Sequence, residues 1–331
     1  MIDSLNILLA VDTKFPVLKY GGTERVVYSL GKALAEMGHK VTLLCAKGSV
    51  CPFADVVEID PSLPLEQQVP EHIDIAHFNN YIPAPEWNRP YIVTYHGNGV
   101  ERDRIVPNSV FVSRDHARRH GCDSWVYNGL DWDEYGVADL NKERKGFHFL
   151  GNAAWRVKNV KGAINVVSRM PGEPLEVLGG KRFNFKMGMR FTFNPRIHFH
   201  GMVDNEAKRK YITESKGLVF PVTWHEPFGL CITESLYYGA PIFGTPYGSL
   251  PELVIPEVGR LTNDSSEMID FLNCAGDFDP GKCHEYAADN FNSKVMAAEY
   301  LKCYEKVLNG EPLISKPALP DTSDYRHKEW R

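Results

Sequence analysis

Two carboxylates eight positions apart, Glu226 and Glu234, bracket the run Pro227-Phe228-Gly229-Leu230 inside the stretch Gly217 to Glu252. The apolar run Gly217 to Val222 reads as a buried strand, Thr223 to Pro227 as a loop, and the helical pattern that starts at Phe228-Gly229-Leu230 stops at Gly239-Ala240-Pro241. A strand that enters a glycine-marked helix start leaves backbone N–H groups without an intrahelical acceptor, and the helix dipole favours negative charge there. Such a place suits a phosphate. Carboxylates beside it cannot bind the phosphate, so their natural partners are hydroxyl groups, for which an ionised carboxylate is an acceptor only. Phosphates in the middle and hydroxyl-rich groups at both ends describe a nucleotide sugar. The plainer alternative is a pair of solvated surface acids on an ordinary βαβ unit, and spacing alone leaves both readings open.

The elements that must position these residues repeat along the chain. Asn6 to Val11 reads as a strand, Tyr20-Gly21-Gly22 as a glycine turn, Thr23 to Met37 as a helix ended by Gly38, and Val41 to Cys45 as the next strand. This is a parallel βαβ start whose ligand crevice lies at the carboxyl end of the strand; Gly21-Gly22 reads equally as a plain tight turn. Further strands are expected at Ile73 to Phe78, Tyr91 to Tyr95, Ser109 to Val112 and Ser124 to Tyr127, with His96 in a glycine-rich loop after one of them. A polar segment, Asp131 to Lys145, then breaks the pattern. Strands at Phe147 to Leu150, Leu175 to Leu178 and Ile197 to Phe199, and helices at Val160 to Met170 and Glu206 to Thr213, repeat the layout, and helices near Ser265 to Leu272, Lys282 to Asn290 and Ser293 to Leu308 follow. The expectation is an α/β protein of two doubly wound Rossmann-like domains, 1–139 and 140–308, facing a central cleft, with 309–331 a tail that crosses back to the first domain or stays free.

At 331 residues, 43% hydrophobic and 24% charged, the chain is long enough for two cores and has a globular composition. No apolar run approaches the ~20 residues that span a bilayer, and the first residues read as a strand with no preceding basic region, so a cytoplasmic location is expected. Seven cysteines without a C-x-x-C pair point to reduced thiols and away from zinc. The D-x-D pairs Asp131/Asp133 and Asp277/Asp279 fall in a linker and a loop and are read as solvated acids rather than metal ligands. A net charge of −5 gives no global reason to expect nucleic acid. One stretch, Lys181 to Arg196, holds five basic residues, no acid and four phenylalanines; it reads as a basic loop over a half-buried hairpin, with a grip on a single strand as the competing reading.

Taken together, Glu226-Pro227-Phe228-Gly229-Leu230 with Glu234, Gly239-Ala240-Pro241, Gly248 and Pro251-Glu252 resemble the signature of family 4 retaining glycosyltransferases of the GT-B fold, with its E-x7-E pair. Gly21-Gly22-Thr23-Glu24-Arg25, His96-Gly97 and Asn128-Gly129-Leu130-Asp131 extend the resemblance. It implies that Glu234 holds the donor ribose, that Glu226 and His96 meet the transferred sugar, and that amides of Phe228, Gly229 and Leu230 bind sugar and phosphates. Gly21, Gly22 and Lys158 are implied at the diphosphate, and Gly179, His200, Met202 and Val203 around the base. The chain departs from the pattern where an arginine is usual, at Asn152 and Ala153. Arg156 is then the substitute, or the phosphate is balanced less strongly; Lys161 competes with Lys158 as the family lysine. The implied activity is metal-independent and cofactor-free retaining transfer from a nucleotide-diphosphate sugar, a UDP-sugar first, to a glycan or small-molecule hydroxyl. A nucleic-acid acceptor, or a nucleotide-sugar-binding protein without turnover, are the alternatives.

Overall fold

Strands apolar on both faces need helices on either side, which is the setting of parallel sheets. In the computed structural model, which describes residues 4–16, 21–100, 104–185, 189–315 and 327–331, the first sheet is built from β1 (Asn6–Val11), β2 (Lys40–Cys45), β3 (Asp55–Glu58), β4 (Ile75–Asn79), β5 (Tyr91–Tyr95) and β6 (Ser109–Phe111). All are parallel, in the order β3-β2-β1-β4-β5-β6. The second sheet takes β7 (Phe147–Leu150) and β8 (Leu175–Leu178), passes the antiparallel hairpin β9 (Phe183–Asn184) and β10 (Arg190–Phe191), and continues with β11 (Ile197–Phe199), β12 (Leu218–Phe220), β13 (Ile242–Gly244) and β14 (Gly259–Leu261). Its order, β11-β8-β7-β12-β13-β14, repeats that of the first sheet and is again all parallel. The described α-helices are α1 (Gly22–Glu36), α2 (Arg114–Arg119), α3 (Val160–Ser168), α4 (Asn205–Thr213), α5 (Leu230–Tyr237), α6 (Leu250–Leu253), α7 (Ser265–Asn273), α8 (Pro280–Asn290) and α9 (Ser293–Leu308).

The described residues within Met1–Asp131 and Phe291–Ser323 form one compact unit, and those within Trp132–Asn290 and Asp324–Arg331 the other. This moves both expected boundaries. The first falls at Asp131 rather than 139 because Trp132 stacks on Tyr237, centroids 4.3 Å apart and 5° from parallel, while Asp131 pairs with Lys32 at 2.5 Å. The second moves because α9 belongs to the first sheet. Tyr304 hydroxyl meets His77 Nδ1 at 2.9 Å and Tyr300 hydroxyl meets Thr94 Oγ1 at 3.0 Å, so two buried polar groups of β4 and β5 find their partners on α9. Gly129 fixes the crossing: a Cβ there would lie 2.2 Å from the Asn292 carbonyl oxygen. Of the tail 309–331, Leu313 and Ile314 donate their N–H groups to Pro107 O in the first unit, and Lys328 donates to Thr223 O in the second. The strand expected at Ser124 to Tyr127 is a single bridge, Trp125 to Phe111. Tyr20 of the expected glycine turn and Lys186 of the basic stretch lie outside the described residues.

Candidate functional site

In a doubly wound sheet the ligand crevice opens where strand order reverses, outside the carboxyl ends of the strands. In the second unit that reversal is between β7 and β12, and the loops leaving these two strands carry Lys158 and Glu226. Gly179, just after β8 and at φ +132°, packs against the loop leaving β7: a Cβ on it would stand 2.1 Å from Gly151 O, and its carbonyl accepts Ala153 N–H at 2.7 Å. Asn152 turns its side chain back to accept Ala154 N–H at 3.0 Å, so it shapes the turn. Arg156 is exposed on the same short 3₁₀ turn that ends at Lys158.

Lys158 Nζ lies 2.6 Å from Glu226 Oε2, with both side chains largely buried. The same oxygen accepts the Trp224 indole N–H at 2.8 Å, and the Lys158 ammonium stands 4.9 Å from the Trp224 ring centre and 5.4 Å from that of Phe220. Lys161 is exposed on α3 and takes no part in this cluster. Gly248, at φ +67°, backs Glu226 so closely that a Cβ would lie 2.2 Å from the Glu226 nitrogen. Gly229, at φ +84°, caps α5, and Leu230 opens the helix, where amides have no intrahelical acceptor. Phe228 is a core side chain, 2% exposed, whose carbonyl accepts the Ser249 hydroxyl at 2.7 Å.

Glu234, on the buried face of α5, is held by two residues that the sequence reading missed. Lys208 Nζ reaches its Oε1 at 2.5 Å and the Tyr135 hydroxyl donates to the same oxygen at 2.8 Å. Lys208 is buried beside Ile212 on one face of α4, so the signal was a lysine at an apolar helix position. Near the end of β11, His200 Nε2 meets Glu176 Oε2 at 2.5 Å; Met202 is 40% exposed and Val203 is buried.

In the first unit Gly21, at φ +156°, caps α1 and Gly22 is the first residue of that helix. His96 follows β5, and its Nε2 faces Asn79 Oδ1 at 2.8 Å. Because Asn79 Nδ2 donates to Ala10 O at 3.1 Å, the amide presents its oxygen to the histidine, so Nε2 carries the proton and Nδ1 is the acceptor. Burial lowers the His96 pKa to about 4, which keeps the ring neutral. Gly97 O lies 3.0 Å from His116 Nε2, and Asn98 Oδ1 accepts from Arg119 at 2.9 Å, so α2 holds this loop.

The three arginines of the basic stretch are engaged at backbone carbonyls. Arg182 donates to the carbonyls of Thr192 and Asn194, both at 3.1 Å; Arg190 donates to that of Lys181 at 2.8 Å; Arg196 donates to those of Met170, Glu173 and Ser168 at 2.6 to 2.8 Å. Arg182 and Arg190 tie the hairpin together and Arg196 anchors the chain after it, while the rings of Phe183, Phe185, Phe191 and Phe193 are all exposed. Of the D-x-D acids, Asp131 pairs with Lys32, and Asp279 accepts Gly281 N–H at 2.8 Å.

Residues 20–134 match the family model described as Glycosyltransferase Family 4, and residues 133–271 match that described as Glycosyl transferases group 1. No curated protein sequence matches the chain. Among solved structures it is similar to a glycosyltransferase involved in avilamycin A biosynthesis, at 21% identity and TM-score 0.76 over 92% of this chain and 98% of that one. Sucrose-phosphate synthase from Thermosynechococcus elongatus follows at 18% identity and TM-score 0.68, over 93% and 100%. The Anabaena protein HepE in complex with UDP and glucose gives 14% and 0.67, over 91% and 99%. At these identities the structures speak for the fold. The two family models adjoin along one chain whose two sheets repeat one strand order, and the chain is a family 4-like glycosyltransferase of the GT-B fold.

Proposed function

We propose that the protein moves a sugar from a nucleotide-diphosphate sugar, a UDP-sugar first, to a hydroxyl of a glycan or small molecule, with retention at the anomeric carbon and without a metal ion. The observation that carries this reading is the Lys158–Glu226 pair at the strand-order reversal, next to the Gly229-capped start of α5. Support for the donor class comes from the UDP and glucose found with the Anabaena neighbour. Both contacts of Glu226 are made by Oε2, so Oε1 is the oxygen offered to a sugar hydroxyl. Both contacts of Glu234 are made by Oε1, so Oε2 is offered to the ribose. Lys158 and the first amides of α5, with Arg156 at the rim, meet the charge that grows on the departing diphosphate. Gly179, Met202 and Val203 line the base. In the first unit, the neutral His96 offers Nδ1 as an acceptor to a saccharide hydroxyl, which orients the saccharide rather than polarising it.

In this scheme the anomeric carbon–phosphate oxygen bond breaks as the acceptor oxygen bonds to the same face. The acceptor proton passes to the leaving diphosphate. No side chain becomes covalently attached, and with the arginines of the basic stretch held by carbonyls, the acceptor is read as a saccharide or small molecule rather than a nucleic acid. The test is incubation with a panel of UDP-sugars and saccharide acceptors in the presence of EDTA. Release of UDP with formation of a glycoside of unchanged anomeric configuration by NMR is the expected result. Tight donor binding with no release under any acceptor would favour a protein that binds nucleotide sugars without turnover.

A further inference from the structure

Five residues close to the donor-sugar end of the site have no role in the scheme above. His327 Nδ1 lies 3.1 Å from the Thr223 hydroxyl, and Lys328 N–H donates to Thr223 O at 2.7 Å. The Tyr247 hydroxyl donates to Glu329 O at 2.7 Å and itself accepts from Asn263 at 3.1 Å. Arg331 N–H donates to Asn263 O at 2.9 Å, and Ser265 N–H donates to Arg331 O at 2.8 Å. The Trp330 indole nitrogen occupies the space beside Gly162, 3.0 Å from where a Cβ would stand. The segment therefore joins the loops that leave β12, β13 and β14 to the first turn of α3, all on the carboxyl edge of the second sheet, where a ligand binds.

We propose that residues 327–331 are a strap that positions Lys158 and Glu226. Thr223, which the strap grips through both backbone and hydroxyl, stands three residues before Glu226, and its own N–H donates to Val157 O at 2.8 Å, the residue before Lys158. At the other end, Trp330 rests against Gly162, whose N–H donates to Asn159 Oδ1 at 3.0 Å. Asn159 in turn donates from Nδ2 to Pro221 O at 2.9 Å, so the strap closes a ring around the two loops whose tips carry the pair. Glu329 and Arg331 neutralise each other at 2.7 and 2.8 Å, and the strap acts on its neighbours through backbone and rings rather than charge. These residues do not touch the reacting atoms in the scheme; they are positioning residues, and the inference rests on the reading of Lys158 and Glu226 as the donor-sugar end.

The experiment compares Trp330→Ala and Tyr247→Phe with wild type and with Lys158→Met, using UDP-glucose turnover and calorimetric titration with UDP alone. The expected result is a fall of about tenfold in kcat/KM for UDP-glucose in both strap variants, since small misplacements of site groups are costly. UDP affinity should stay within about twofold, and Trp330→Phe should recover most of the loss. Loss of UDP affinity in proportion to turnover would overturn the strap, because it would mean general loosening. Wild-type turnover in both strap variants, with Lys158→Met inactive, would overturn the strap and leave the site standing. Wild-type turnover in Lys158→Met would overturn the site reading and the strap with it.

Discussion

Lys158 and Glu226 neutralise each other across the two loops of the strand-order reversal, at 2.6 Å and out of bulk solvent. Removing one partner of a buried pair leaves an uncompensated charge and costs about 3–5 kcal/mol, whereas replacing both is far milder. Lys158→Met should therefore lower the melting temperature sharply and reduce turnover about 100-fold or more. Lys158→Met with Glu226→Gln should regain most of the stability and none of the turnover. A double variant as unstable as the sum of its parts would show that the two groups are not coupled.

Glu234 should behave differently, because its lysine and tyrosine hold one carboxylate oxygen and leave the other for the ribose. Hydrogen bonds to charged groups contribute about 1.5–3 kcal/mol, so Glu234→Gln should weaken UDP binding about tenfold to a hundredfold in calorimetry. Lys208→Met strands the carboxylate beside Tyr135 and should show as a drop in melting temperature at pH 7. Unchanged UDP affinity in Glu234→Gln would remove the residue from the donor site.

The part of the site on β12 and α5 was legible because strand, loop and helix there are marked by an apolar run, two glycines and a helical repeat, all local signals. Lys208 was not legible, since a lysine among Lys210 and Arg209 reads as solvated until the fold shows which helix face is covered. The same holds for α9: its periodicity announces an apolar face but not which sheet covers it, and only His77 and Thr94, far back in the chain, decide the matter. β3 and β14 escaped because Asp55–Glu58 is an edge strand with an acid at each end and Gly259–Leu261 is three residues around an arginine. Of the two lysines weighed for the diphosphate, Lys158 is the one that pairs with Glu226, and the turn Arg156–Lys158 that places it there carries no local sequence signal.

Gly248 is the position where one added carbon should be felt most. Its φ of +67° disfavours any L side chain, by about 1–2 kcal/mol, and a Cβ would meet the Glu226 backbone at 2.2 and 2.4 Å. Gly248→Ala should destabilise the fold and abolish UDP-glucose turnover by pushing Glu226 out of line with Lys158. Gly276, with nothing within 4 Å of its Cβ position, is the control, and Gly276→Ala should leave both quantities unchanged. Equal behaviour of the two variants would contradict the packing described for the Glu226 loop.

Stability should fall in mild acid, and His148 gives the sign. Burial, reinforced by the charge of Arg144, lowers its pKa from the ordinary 6.5 to about 3. Its Nδ1 faces the Ser215 hydroxyl and its Nε2 the Ser235 hydroxyl, each at 2.8 Å. Ser215 Oγ also donates to Gly217 O at 3.1 Å, so it accepts from Nδ1–H and leaves Nε2 to accept from Ser235. A second ring proton would displace that donor. His77 in the first unit is likewise lowered to about 3, by burial and then by His96. Between pH 6.5 and 3 the unfolded chain binds protons at these positions and the folded chain does not, so stability is highest above 6.5 and declines as pH falls through that window. Each histidine contributes at most about 1.4 kcal/mol per pH unit. Denaturant titrations at pH 7.5, 6 and 5 should show this decline, and His148→Gln should reduce its slope by close to one proton. A slope unchanged by that substitution would mean that His148 is already charged in the folded protein.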